Sequence, residues 1–167
     1  WGILGTAHIA TEHVIPAMLR CQYGEVYAIA SRSTEKAQNI AEQFGIPECY
    51  GSYEELLVDK EVDAIYIPLP NHLHVQWAIK ALEADKHVLV EKPVGLSSKE
   101  AERLLQETKK YPHLKVMEAF MYRHHPQWIK VKELVDQKAI GDIKTIQSSF
   151  SFFEDDPNSI VNSKEFG

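Results

Sequence analysis

The chain has 167 residues, a formal charge of −6 with neutral histidines, and 44% hydrophobic against 25% charged residues. That length supports one domain or slightly more and needs no disulfide or metal staple, and the composition excludes disordered, collagen-like or low-complexity chains. The acidic balance, 24 Asp and Glu against 18 Lys and Arg, argues against a general nucleic-acid or membrane-surface binder, and no apolar run reaches the roughly 18 residues of a membrane span.

Short β-rich runs alternate with helix-period runs, the pattern of a parallel sheet with crossover helices. Trp1–Leu4 reads as the tail of a first strand, with one or two strand residues ahead of it. The next helix contains Pro16, which predicts a break or kink near Ile15. Val26–Ser31 is a second strand. Ala37, Ile40, Ala41 and Phe44 form a helical stripe, capped by Ser33 and closed by Gly45. Val62–Pro68 is a third strand, followed by a helix with Val75, Ala78, Ile79 and Leu82 on one side and Asn71 as its N-cap. His87–Val90 is a fourth. A helix carrying Ala101, Leu104, Leu105 and Thr108 follows, its start marked by a Ser97–Glu100 capping box. Lys115–Ala119 is a fifth strand.

After Tyr122 the character changes. Pro126–Gln137 reads as a further helix with Ile129, Leu134 and Val135 on its apolar side. A Gly141–Asp142 turn leads into IKTIQSSFSFF, which alternates as a strand does, and then into a polar stretch, Glu154–Asn162. Cys21 and Cys49 match no zinc or redox spacing and read as half-buried thiols in a reducing cytosol. No basic and apolar leader opens the chain, so the expected compartment is the cytoplasm.

The first strand runs into Gly5-Thr6-Ala7-His8-Ile9-Ala10. This resembles the G-x-G-x-x-G/A dinucleotide fingerprint, with Gly5, Ala7 and Ala10 at its three positions. Gly5 makes the tight turn, the small third residue lets helix and strand pack closely, and the helix N-terminus offers N–H groups to a pyrophosphate. Ala7 departs from the pattern, because the second position normally has no side chain. An ordinary strand–helix turn of small residues looks similar, and the βαβ pattern that follows is what favours nucleotide binding.

A site specific for NAD places Asp or Glu about 20 residues beyond the glycines. Here the second strand ends Ala30-Ser31-Arg32-Ser33, without a carboxylate. Ser31 can donate to a phosphate. Arg32 can pair with a 2′-phosphate or lie over an adenine, and Lys36 adds a second positive charge. A solvated helix start would carry the same residues; behind the glycine turn they predict NADP, with NAD as the alternative.

His72-x-His74 and His124-His125 lack carboxylate or cysteine companions at ligand spacing, so no metal site is expected. Glu91-Lys92-Pro93 closes the fourth strand. Ligands of open α/β sheets bind beyond the carboxyl ends of the strands, and a lysine there is placed to move a proton. A strand-end lysine beside a turn proline is also common without any such role.

With these pieces in order, the chain resembles the Gfo/Idh/MocA oxidoreductase family. The resemblance rests on GILGTAHIA, the S-R-S turn, YGSYEELL, VDAIYIPLPNHLH, HVLVEKP and MEAFMYR, in the family's order over most of residues 1–125. P-N-x-x-H together with E-K-P is its most diagnostic part. It implies an α/β fold, a Rossmann doubly wound parallel sheet followed by the truncated start of a second α/β domain. It also implies NAD(P)-dependent hydride transfer at a hydroxyl of a sugar, inositol or related cyclic alcohol. Carried over by position, Lys92 is the catalytic lysine and the Lys92–Pro93 bond is cis. Gly5, Thr6, Ala7, His8, Ile9, Ser31, Arg32, Ser33 and Lys36 bind the cofactor. Pro68, Leu69, Asn71 and His74 border its nicotinamide side with Pro93, Glu91 lies near the nicotinamide ribose, and Arg123 is a cofactor- or substrate-side arginine.

Within the family, the first strand and S-R-S turn are similar to those of NADP-dependent aldose (xylose-type) dehydrogenases and dimeric dihydrodiol dehydrogenases. Aldose to lactone is then the expected reaction, and a sugar or polyol the expected small-molecule partner. The predicted division is a Rossmann domain over 1–122, a linking helix over 123–140, and from 141 to 167 the start of an incomplete second domain. The resemblance implies that the second domain completes the acid–base pair and forms a homodimer, so this chain is expected to bind cofactor but turn over slowly or not at all. An inositol or dihydrodiol dehydrogenase of the same family is an alternative. A non-catalytic nucleotide sensor is another, and so is an unrelated Rossmann domain such as a methyltransferase; the E-K-P turn and the lack of an acidic strand-two end count against that last one.

Overall fold

Six short strands, β1 (Gly2–Leu4), β2 (Ala28–Ala30), β3 (Glu48–Tyr50), β4 (Ala64–Ile67), β5 (His87–Val90) and β6 (Val116–Glu118), form one sheet in the order β3-β2-β1-β4-β5-β6. Every pairing is parallel, as strands joined by crossover helices require. The computed structural model describes residues 1–155. The chain forms two units, one over Trp1–Ala119, which holds the sheet, and one beginning at Phe120.

Alternation along the strands divides the core between the two faces of the sheet. Leu4, Ala28, Ala30, Ile65 and Ile67 point to one face, where they pack with Leu56, Trp77, Ala78, Leu82 and Leu104. Ile3, Ile29 and Tyr66 point to the other, against Ala10, Ile15 and Ala41. Both faces are covered, so the inner strands are apolar at successive positions.

The helices begin where their caps stand. Ser33 Oγ accepts from Lys36 N at the start of α2 (Thr34–Phe44), which ends on Gly45 at φ 67°. Ser52 Oγ accepts from Glu55 N ahead of α3 (Tyr53–Leu57). Ser97 Oγ accepts from Glu100 N ahead of α5 (Ser98–Thr108). Glu100 Oε2 accepts from Leu96 N, one residue before the expected capping-box partner. The predicted break near Ile15 takes the form of a π-helical turn, Ala10–Val14, which gives way to α1 (Ile15–Met18) with Pro16 in its first turn. Ile15 N donates to Ala10 O, and the change of helical pitch falls just ahead of Pro16, which has no N–H with which to continue the ladder.

Several expectations are corrected. β3 and α3 were not foreseen: one is a three-residue edge strand and the other a five-residue helix, both too short for periodicity to register. Asn71 does not cap α4 (His74–Glu83); it opens a 3₁₀ turn, Asn71–Leu73, that feeds the helix. Leu105 is exposed, because Leu104 already fills the buried side of α5. Cys49 is half-buried as expected, but Cys21 is exposed.

In the second unit, α6 (Pro126–Asp136) forms as predicted, with His125 Nδ1 accepting from Gln127 N at its start. No residue of α6 is buried, and Ile129 and Leu134 are exposed. Gly141 turns at φ 71°, but 143–155 form no strand. Alternating side chains define a face without supplying partners for backbone N–H and C=O groups, and a strand needs both. Beyond residue 155, the rest of the polar stretch to Asn162 and of the expected second domain lies outside the described residues.

Candidate cofactor cleft and E-K-P turn

β1 and β4 are neighbours in the sheet, yet the chain leaves β1 toward β2 and β3 and returns to β4 on the other side. Connections therefore diverge at their carboxyl ends and open a crevice, the place where doubly wound sheets bind ligands. Gly5 ends β1 at φ 108°, a conformation that other residues rarely adopt. A Cβ on Gly5 would stand 3.0 Å from Leu69 Cδ2, across the crevice from β4. Ala7 O accepts from both Ala10 N and Thr11 N, which fixes the helix start just past the turn. The N–H groups ahead of these two, those of His8 and Ile9, lie too early in the helix to find an acceptor within it.

A cavity of about 460 Å³ occupies the crevice. Its walls bring together Gly5, Thr6 and Ala7 after β1, Ser31, Arg32, Ser33 and Lys36 after β2, and Pro68 and Leu69 after β4. These nine are sequence-predicted cofactor residues. Ser31 is buried and its Oγ accepts from Ser33 N, so the turn folds back on itself, while Arg32 and Lys36 are exposed and hold the cationic side of the opening. No Asp or Glu lines this cavity. A cationic wall without a carboxylate fits a dinucleotide bearing an extra phosphate better than one bearing a free ribose diol.

The E-K-P turn stands on the same carboxyl edge, at the end of β5. Glu91 is buried. Its amide donates to Ile67 O at 3.1 Å, and its Oε1 accepts from Tyr66 Oη at 2.8 Å. Burial and the adjacent carboxylate both push the Tyr66 phenol well above its ordinary range. The Lys92–Pro93 bond is cis, as expected. Pro93 O lies 2.7 Å from His74 Nδ1, and His74 Nε2 lies 2.6 Å from Leu69 O. Val94 N donates to Glu118 Oε1 at 2.8 Å. Lys92 itself is exposed. It extends from a segment tied to β4, α4 and β6.

The remaining candidates occupy other places. His74 is fully enclosed, with both ring nitrogens against carbonyls. His8 is exposed and edge-on to His13, and neither it nor Ile9 lines the cavity. Asn71 is half-buried in its 3₁₀ turn. Arg123 is exposed in a 3₁₀ turn of the second unit, Met121–His124. Among the described residues no group of three or more His, Cys, Asp or Glu could hold a metal ion, and no helix is long and apolar enough to cross a membrane. Sequence reasoning missed Tyr53 and Pro70 in the cavity wall and Tyr66 and Glu118 behind the E-K-P turn. The YGSYEELL stretch marked Tyr53, but only as part of a resemblance.

Residues 1–120 match the Gfo/Idh/MocA family, an oxidoreductase family with an NAD-binding Rossmann fold. The chain belongs to this family. It is 49% identical over its whole length to an uncharacterized oxidoreductase, ORF334, of Rhizobium meliloti, of which it covers 50%. It is 44% identical over 152 residues to a D-xylose 1-dehydrogenase (NADP(+)) of Haloferax volcanii, covering 91% of this chain and 46% of the relative. Among solved structures it is similar to KijD10, a 3-ketoreductase from Actinomadura kijaniata, in complex with TDP-benzene and NADP. That match has a TM-score of 0.76 and 41% identity over 84% of this chain and 44% of that one. The chain spans about half the length of the curated relatives it matches.

Proposed function

We propose that this chain is the cofactor-binding part of an NADP-dependent dehydrogenase or reductase acting on a hydroxyl or ketone carbon of a sugar or cyclic polyol, with aldose oxidation to a lactone as the favoured reaction. The carrying observation is the cavity wall. Ser31, Arg32, Ser33 and Lys36 line its β2 side and no carboxylate does. The NADP-dependent xylose dehydrogenase and the NADP-bound 3-ketoreductase among its relatives support the same reading.

In this reading Gly5, Thr6 and Ala7, with His8 and Ile9 in the first helical turn, approach the pyrophosphate. Arg32 and Lys36 take the 2′-phosphate, with Ser31 and Ser33 donating hydroxyls. Pro68, Leu69 and Asn71 border the nicotinamide side. The bound cofactor supplies the hydride acceptor or donor. Lys92 holds the proton that leaves or joins the substrate oxygen, and Glu91, His74 and Pro93 keep its turn in place. Arg123 serves the substrate or cofactor from the segment after β6. In this reading the chain divides into a cofactor domain to Tyr122, a linking helix over 123–140 and a second domain from 141.

Calorimetric titration of the chain with NADPH and with NADH tests this reading. NADPH is expected to bind about tenfold or more tightly, and Arg32→Ala to abolish the difference. Equal affinity for the two cofactors would defeat the NADP assignment. In the full-length protein, Lys92→Ala is expected to lower kcat by about 10²–10⁴-fold with little change in cofactor affinity.

A further inference from the structure

The part of the cavity wall that follows β4 is Pro68, Leu69 and Pro70, whose side chains carry no hydrogen-bonding group. Tyr53, the first residue of α3, lines the same cavity and brings a hydroxyl to it. The side chain is fixed from behind. Its ring is buried among the core residues and meets Trp77 edge-to-face at 4.9 Å and 87°. Trp77 is buried too and carries the Lys80 ammonium 3.9 Å from its ring centroid, while Lys80 Nζ pairs with Glu54 Oε1 at 2.8 Å. Packing of this kind leaves the phenol little rotational freedom.

The phenol oxygen stands 3.9 Å from the point that a Cβ on Gly5 would occupy, and Leu69 Cδ2 stands 3.0 Å from the same point. One hydroxyl and one apolar group therefore border the space over Gly5. That glycine closes β1 at the fingerprint turn, where the ribose and pyrophosphate of a dinucleotide come close to the backbone. The cations that would answer a 2′-phosphate stand elsewhere, after β2, at Arg32 and Lys36. A core tyrosine with its polar tip at the surface is common and need bind nothing. The place of this oxygen, inside the cavity and over the glycine turn, sets Tyr53 apart from that case.

We propose that Tyr53 is a cofactor-binding residue: its hydroxyl donates a hydrogen bond to an oxygen of the adenosine ribose or the pyrophosphate, parts that NADH and NADPH share. The proposal rests on the cofactor-cleft reading above and adds to it a contact that gives affinity without selectivity. With an ordinary pKa of about 10, a phenol keeps its proton at neutral pH and can donate. Because the ring is already fixed, the bond forms with little loss of side-chain freedom. Tyr53 thus acts independently of Arg32, which serves the 2′-phosphate alone.

The experiment titrates the chain and its variants calorimetrically with NADPH, NADH and 5′-ADP. Tyr53→Phe keeps the ring against Trp77 and removes the hydroxyl, and an unchanged urea midpoint confirms that the fold is intact. It is expected to weaken all three ligands by about five- to tenfold and to leave the ratio of NADPH to NADH affinity within about twofold of the parent. In an Arg32→Ala background the same loss is expected in full, the additivity of two independent contacts. Titration with 2′,3′-dideoxy-5′-ADP separates the two acceptors: the loss disappears if the hydroxyl serves the ribose and persists if it serves the pyrophosphate. The proposal is overturned if Tyr53→Phe binds both cofactors as the parent does, or if the loss is confined to NADPH. A parent with equal affinity for NADPH and NADH removes the NADP assignment, and Tyr53→Phe still decides this proposal. A parent that binds none of the ligands removes the cofactor-cleft reading and this proposal with it.

Discussion

The S-R-S turn and the E-K-P turn occupy the same carboxyl edge of the sheet and treat their cations in opposite ways. Around Lys92 the backbone is fastened from both sheet faces. Tyr66 holds Glu91 from one side, His74 holds Pro93 from the other, and Glu118 holds Val94. Around Arg32 and Lys36 the charged groups are left exposed over a cavity. A group that must present one atom at one place gains from a rigid base. Groups that answer a multiply charged ligand gain from being reachable and unneutralised, since no nearby carboxylate has to be displaced. The contrast predicts that stability is concentrated at one turn and affinity at the other.

The largest effect on stability is expected from His74→Ala. The imidazole is fully buried and spans the carbonyls of Leu69 and Pro93, joining the β4 end of the crevice to the E-K-P turn. A carbonyl can only accept, so the ring bonds a carbonyl only through a nitrogen that carries a proton. Removing the ring takes away that bonding and leaves a void, for a combined loss of about 2–4 kcal/mol. Urea denaturation of the chain measures this, and an unchanged midpoint would show that the turn does not depend on α4.

Tyr66→Phe is expected to cost less, about 1–3 kcal/mol at neutral pH, because Glu91 stays buried but loses its hydroxyl donor. This variant also carries a pH signature. The folded state raises the Tyr66 phenol above its ordinary value of about 10. Its contribution is therefore complete below pH 10 and declines as the pH rises from there toward the folded-state value. Tyr50, pushed up to about 12 mainly by its bond to Asp59, adds to the decline between pH 10 and 12. Urea midpoints at pH 8 and pH 11 should fall further apart in the wild-type chain than in Tyr66→Phe.

The two turns also differ in how far they could be read from the sequence. The S-R-S turn was legible residue by residue, because its chemistry is local: a strand, a small residue, a cation and a helix cap lie within six positions. The helix starts at Ser33 and Ser97 were legible for the same reason. At the E-K-P turn the sequence marked Glu91, Lys92 and Pro93 but not what fastens them. Tyr66 lies 25 positions from Glu91, and Glu118 lies 24 from Val94. Those partners meet only when β4, β5 and β6 pair in parallel, which periodicity does not encode. His74 shows the limit most clearly, since the motif that drew attention to it pointed toward a ligand, while the fold encloses it between two carbonyls.

Gly5→Ala tests the turn that both sites share. A side chain at φ 108° costs about 1–3 kcal/mol, and its methyl would press on Leu69 Cδ2 at 3.0 Å. The loss should sit near the low end of that range, because Leu69 can shift into the crevice. Shifting it narrows the cavity, so NADPH affinity should fall along with stability.

The smallest effect on stability belongs to Arg32→Ala, and the comparison turns on it. The side chain is exposed and fills no part of either core cluster, so its removal should leave the urea midpoint within about 0.5 kcal/mol of the parent. The same variant should lose the preference for NADPH over NADH. A variant that is stable but indifferent to the 2′-phosphate would separate binding from folding at this turn. If Arg32→Ala instead unfolds the chain as readily as His74→Ala does, the guanidinium is part of the structure, and the two turns do not differ in kind.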